Sequence, residues 1–213
     1  MASKTTVSNM ALSHIGVGHE ISDLDTERSE EANAIKTFYL TAVEFMQSDF
    51  VWPFLTRTAN LGLVEEDPTT EWDYSYRYPA DCIKIHRIYS PLRNDYRQSR
   101  IPYLIYSDDT GKLVYTDCED AVIDYAKPVL AEDKWPADFV LAFSYLLGSY
   151  IAPRLTKGDP FKMREIVLAL YSQYRQLAEQ RAVNEEQAEE VPASEFVRAR
   201  ESDVSPFPDS WSS

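Results

Sequence analysis

Residues 136–155 read PADFVLAFSYLLGSYIAPRL, and the reading of this stretch decides the fold. Between Asp138 and Arg154 it carries no charge, and its large apolar side chains fall on every helical face. That is the pattern of a helix buried all round rather than of a surface amphipath. The run ends short of the ~20 apolar residues that a bilayer span needs, and it contains Ser144, Gly148, Ser149 and Pro153, so it reads as the centre of a soluble helical core. Ala142, Gly148 and Ala152 are small residues at helical spacing, where neighbouring helices can approach closely. Pro136 suits a first helical turn and Gly158 a stop.

Such a helix needs partners. On the N-terminal side, Lys4 to Ile15 reads as one, with Val7, Met10, Ala11 and Ile15 on one side and Gly16 and Gly18 ending it. A second is expected from Glu27 to Asp49, capped by Asp25 or Thr26, with Ala32, Ile35, Tyr39, Ala42, Met46 and Phe50 as its face. Trp52-Pro53-Phe54 closes it. On the C-terminal side, Asp159 as N-cap and Pro160 at the first position open a further helix whose seam would be Met163, Val167, Leu170, Tyr174 and Leu177. After Asn184 the pattern fades into the acidic residues Glu185, Glu186, Glu189 and Glu190.

Between the helical pairs the period changes. Thr58 to Val64, Glu71 to Tyr78, Cys82 to Ser90, Tyr103 to Ser107, Lys112 to Thr116 and Ala121 to Tyr125 read as strands, and Asp108 to Gly111 as a hairpin turn. The expected class is α+β: a four-helix bundle with an inserted small, mainly antiparallel β-sheet and an extended C-terminal arm. Residues 1–56 would supply helices one and two, 57–130 the sheet region, 131–190 helices three and four, and 191–213 the arm. Pro192, Pro206 and Pro208 argue against a packed element in that arm, yet Phe196, Val197, Phe207 and Trp211 are spaced apolar anchors suited to docking.

The formal charge of −14 speaks against a protein that grips phosphate backbones, because that affinity comes from Lys and Arg releasing counterions. The 14 tyrosines fit a surface made for other proteins, or equally the filling of a sheet and a helical core. Cys82 and Cys118 are the only cysteines and no signal-peptide pattern opens the chain, which points to synthesis in a cytoplasm.

No catalytic motif stands out. His14 and His19 lack a metalloprotease arrangement and read as helix-end polarity. Cys82 and His86, four apart on one expected strand, would face one side but have no second ligand pair. Asp117, Glu119, Asp120 and Asp124 lack the alternation of a Ca²⁺ loop and read as a solvated turn. Arg93, Tyr96, Arg97 and Arg100 form a basic, exposed loop, suited to a subunit or tail contact or, less well, to nucleic acid.

Several strings in order resemble one family. ALSHIGVGHEISDLDT at 11–26, QSDFVWPF at 47–54 followed by LGL at 61–63, YRYPADCIKI at 76–85 and the buried DFVLAFSYLLGSYIA at 138–152 are similar to the head-to-tail adaptors of tailed bacteriophages, the tail tubular protein A-like connector proteins. WPFL stands where the family more usually has W-x-F-A, and the similarity runs from about Val7 to Ala182. The resemblance implies a non-enzymatic virion protein at the head-tail interface, without cofactor or metal. It implies a ring of probably twelve copies under the portal protein that continues the DNA channel without specific DNA binding and meets a tail nozzle or tail tube protein below. It further implies an arm, with Phe196, Val197, Arg198, Arg200, Phe207 and Trp211, that reaches the portal. The end from Asp203 matches no family motif. Alternative readings are a tail-completion or capsid-stabilising protein that does not bind the portal, and a carboxylate-dependent cell-wall hydrolase.

Overall fold

The computed structural model describes residues 2–90 and 101–185. Helices α1 (Lys4–His14) and α2 (Glu30–Asp49) come first, then seven strands, then helices α3 (Ala137–Leu155) and α4 (Pro160–Glu185). The strands are β1 (Thr56–Asn60), β2 (Gly62–Glu66), β3 (Tyr74–Arg77), β4 (Lys84–Tyr89), β5 (Leu104–Asp108), β6 (Gly111–Thr116) and β7 (Val122–Ala126). The protein is mixed α+β, with four helices and two small antiparallel sheets.

Helix α3 is the element the others cover. From Phe139 to Ala152 no residue of it is fully exposed, and Phe143, Leu147, Gly148 and Ile151 are sealed completely or almost so. It packs against α1, α2 and α4. The closest approach is at Gly148, where a Cβ would lie 3.3 Å from the Ala11 carbonyl oxygen and 3.4 Å from Val167 Cγ1, so three helices meet at the residue without a side chain. On α4 the stripe that faces this core is Met163, Val167, Tyr171, Tyr174, Ala178 and Ala182. Leu177, expected in that seam, is exposed instead: a straight helix drifts away from a strict seven-residue repeat, and Ala178 takes the place one residue on.

Helix caps follow local chemistry. Ser3 accepts from Thr6 N–H at 3.1 Å and Asp159 accepts from Lys162 N–H at 3.1 Å, the latter as read from the sequence. Helix α2 starts later than expected, with Ser29 rather than Asp25 or Thr26 as its cap. The reason is a competing turn. The Thr26 hydroxyl donates to Asp23 at 2.6 Å and Glu27 N–H donates to the Asp23 carbonyl at 3.0 Å. The Glu27 carboxylate is held by Ser22 N–H, the Ser29 hydroxyl and His19, so side-chain bonds take this segment out of the helix.

An aromatic group joins the helices to the strands. Phe139 meets Trp52 and Phe54 edge-on, each at 5.0 Å between ring centres, and Trp135 at 5.2 Å. Trp52 Nε1 donates to the Met46 carbonyl and Trp135 Nε1 to that of Val129, so both indoles bury their rings with the N–H satisfied. Behind this wall Lys127 N–H donates to the Leu55 carbonyl at 3.0 Å, fixing the end of β7 to the start of β1.

The strands form two sheets, in the orders β1-β7-β4 and β2-β3-β6-β5. The expected strand from Thr58 to Val64 is therefore two. Leu61 breaks it, donating its N–H to the Ala121 carbonyl at 2.9 Å and burying its side chain, so that the chain passes from one sheet to the other. Leu61, Tyr76 and Val114 share a second, smaller core with Ile85, Ile88, Ile123 and Tyr125. The Asp109-Thr110 turn joins β5 to β6, with Asp108 paired to Gly111.

Gly148→Leu is expected to lower the unfolding free energy by about 3 kcal/mol, because its side chain meets backbone rather than a movable tip. Gly148→Ala is expected to stay within about 1 kcal/mol of the parent, since its gain in helix propensity offsets the tight contact. Urea denaturation of the three proteins checks both.

Candidate interaction surfaces

The residues expected to dock or to form the basic loop, Phe196, Val197, Arg198, Arg200, Phe207 and Trp211, and Arg93, Tyr96, Arg97 and Arg100, lie outside the described residues. What the structure places is the surface of the described residues and the polar groups that looked like chemistry.

The acidic residues between β6 and β7 do not converge. Asp117 accepts from Asp73 N–H at 3.2 Å, while Glu119 and Asp120 are exposed, with Asp120 at φ 51°. Asp124 belongs to the middle strand β7 and is buried, in contrast to the solvated reading. It accepts from the Thr58 hydroxyl at 2.6 Å on one side and from Arg87 Nε at 2.5 Å on the other, so its charge holds the two outer strands to the central one. The signal in the sequence is that Asp124 has apolar residues on both sides of it and at both next positions, Val122-Ile123-Asp124-Tyr125-Ala126, the pattern of a strand covered on both faces.

Cys82 and His86 do not share a strand face as expected. Cys82 precedes β4, and its thiol donates to the Tyr78 hydroxyl at 3.1 Å; burial pushes that thiol's pKa up, away from a reactive thiolate. His86 is the extra residue of a bulge between Ile85 and Arg87, which reverses the alternation that the spacing assumed. Both its ring nitrogens are buried without a hydrogen-bond partner. Among the described residues no three His, Cys, Asp or Glu side chains are grouped to hold a metal ion.

His14 is more than helix-end polarity. Its ring stacks on Tyr145 at 3.8 Å, Tyr145 stacks on Tyr174 at 4.8 Å, and Nε2 lies 3.0 Å from the Ser144 hydroxyl. This is a buried serine beside a histidine, but Ser144 donates its proton to the Leu141 carbonyl at 2.7 Å. The arrangement ties α1 to α3. His19 pairs with Glu27 at 3.2 Å on the surface.

A scan against protein-family models and a search of the curated proteins find nothing that matches this chain.

The informative surface is apolar. On α4, Phe161 is 68% exposed, and Ile166, Leu168, Leu177 and Val183 are also open to solvent. The outer strands β2 and β5 are exposed along their whole length and carry Leu63, Val64, Leu104, Ile105 and Tyr106. A cleft of about 550 Å³ lies beside the start of β2 and the β5–β6 turn, lined by Asn60, Arg77, Tyr78, Cys82 and Lys112 among others. Lys112 Nζ sits 5.3 Å over the Tyr78 ring, and Arg77 grips Asp108 at the cleft's rim through two bonds, which with Thr110 holds that carboxyl well below its ordinary pKa. A shallower cleft of about 420 Å³ between α2, α3 and α4 is lined by Phe38, Tyr150, Arg154 and Arg164. Exposed apolar and aromatic residues beside Arg and Lys are the composition common at protein–protein contacts in general.

Burial lowers the pKa of His14 and of His86, where Lys84 adds to the effect. The unfolded chain takes these protons near pH 6.5 while the folded chain resists them, so their stabilisation is whole above about pH 6.5 and is lost progressively below it, as pH falls to the lowered folded-state values. The melting temperature is expected to drop between pH 7 and pH 5, and the drop is expected to shrink in a His14→Gln, His86→Gln protein.

Proposed function

We propose that this chain is a structural adaptor of a tailed-phage virion. In this reading copies form a ring under the portal, join head to tail, and continue the channel through which DNA passes without being specifically bound. The observation that carries the reading is the apolar exposure of α4 and of the outer strands on a chain of net charge −14. Such a molecule repels duplex DNA, yet offers apolar area that only other protein surfaces would cover. The ordered motifs from Val7 to Ala182 that resemble head-to-tail adaptors give the same assignment.

Within that reading the four helices form one bundle around α3, into which the two sheets are inserted between α2 and α3. Ion pairs support this arrangement: Arg175 reaches Asp49 of α2 at 2.9 Å, Arg181 reaches Asp138 of α3, and Arg154 reaches Glu30 at 3.8 Å. The segment 191–213, with Phe196, Val197, Arg198, Arg200, Phe207 and Trp211, is the arm that docks on the portal, and ordering it costs entropy that pockets for those apolar side chains offset. A tail nozzle or tube protein takes the opposite face.

The test mixes the purified chain with the portal protein of the same phage and follows mass and ring images, for the full chain and for one stopped after Glu190. The full chain is expected to form rings on the portal and the shortened one to fail. Absence of binding by both would remove the adaptor assignment.

A further inference from the structure

The two sheets treat their edges differently. In the three-stranded sheet, β1 carries Arg57 and Asn60, while β4 carries Lys84, Arg87 and the His86 bulge. Charges and bulges of this kind are what keep an edge from pairing with a foreign strand. In the four-stranded sheet, β5 reads Leu104-Ile105-Tyr106 before its polar end, with no Lys, no Pro and no break in register. Its opposite edge, β2, reads Gly62-Leu63 before a bulge at Val64 and the charges of Glu65-Glu66, so its first two residues are the part open to pairing. Each edge therefore offers an open, uncharged stretch in regular register, three residues on β5 and two on β2.

We propose that this sheet continues from one copy to the next, with β5 of one copy pairing antiparallel to β2 of its neighbour. The inference rests on the ring reading above and names the strands that would make the ring contact. Strand polarity supports it first. Each neighbouring pair in the order β2-β3-β6-β5 is antiparallel, so the two edges run in opposite directions within one copy. A second copy displaced along the sheet brings its β5 beside β2 antiparallel, with the same face toward the core. The contact joins different surfaces, so it repeats around a ring, whereas β5 against β5 or β2 against β2 would stop at a pair.

Side-chain register supports it next. Leu63 pairs with Tyr76, Tyr76 with Val114, and Val114 with Ile105, so Leu63 and Ile105 flank the two buried residues on the core face. Both are about half exposed, at 51% and 48%. Setting Leu63 opposite the neighbour's Ile105 continues that row across the junction. It sets Gly62 opposite Tyr106, with the bulged Val64 beyond the paired stretch. Gly62 has nothing within 4 Å of a built Cβ, which leaves room for the Tyr106 ring to lie over it. Glu65, Glu66 and Asp108 fall beyond the paired stretch, so no like charges meet. Two residue pairs make a weak contact, and the closed ring multiplies it.

The experiment is sedimentation of the full chain up to about 1 mM, a concentration that detects contacts of a few kcal/mol, with circular dichroism as the control for folding. Wild type is expected to associate, Leu63→Lys and Ile105→Lys each to lose at least tenfold in association, and a chain carrying both Leu63→Lys and Ile105→Glu to regain it through the new ion pair. Oxidation of a Leu63→Cys, Ile105→Cys chain is expected to give a ladder of multimers that neither single variant gives. No association by wild type, an effect of Ile105→Lys without one of Leu63→Lys, or a ladder that stops at dimers would overturn the proposal. Portal rings that form normally from Leu63→Lys protein would also overturn it and leave the adaptor reading standing.

Discussion

The fold depends on the place where α3 has no side chain. At Gly148 the Ala11 carbonyl and the Val167 side chain stand so close that even a methyl group would be tight. This approach lets α1 and α4 cover a helix whose other faces are already filled by Phe139, Phe143, Leu146, Leu147 and Ile151. A helix apolar on all sides has no stable state in water alone, and it holds α1, α2 and α4 because each removes a different side of it from solvent. The ion pairs across these helices are partly exposed and contribute little energy singly. They fix how the helices slide along one another more than whether they associate.

The helical core and the small sheet core are joined by rigid contacts rather than by a linker. Trp52, Phe54 and Trp135 pack around Phe139, and Gln47 exchanges two hydrogen bonds with the backbone of Val129. The position of the strands is thus set by the helical core through the segment at 52–55 and the segment at 127–135. Within the sheets the buried carboxylate of Asp124 binds partners from both flanking strands, a site where a charge is buried with both of its oxygen atoms accepting a hydrogen bond.

Function in this molecule, on the adaptor reading, is a property of surface rather than of a reaction centre. The polar groups that could have been read as chemistry have structural work. Ser144 and His14 join helices, Cys82 bonds to Tyr78, and Asp124 holds a sheet. What they leave over is apolar area on the outside of α4 and on β2 and β5. Area of that kind on the outside of a charged molecule is the usual mark of surfaces made to meet other proteins.

The sequence by itself determined the elements whose cause is local: the all-apolar run of α3, the Asp159-Pro160 start of α4, the α1 stripe, and the Asp-Asp-Thr-Gly hairpin. It also carried the class, because helical period at both ends and strand period between them leave few arrangements. Tertiary structure alone decided the rest. Leu61 splits one expected strand into two because its backbone finds Ala121, which lies far along the chain. Ser29 caps α2 because Asp23 and Glu27 are already engaged in the loop before it. Ala178 displaces Leu177 from the seam, and the His86 bulge turns two expected neighbours apart. In the first two cases a partner distant in sequence, or a competing hydrogen bond, outweighs a local preference worth only a few tenths of a kcal/mol to about 1 kcal/mol per residue, and in the last two the true period of the helix and an extra residue in the ladder override the regular spacing.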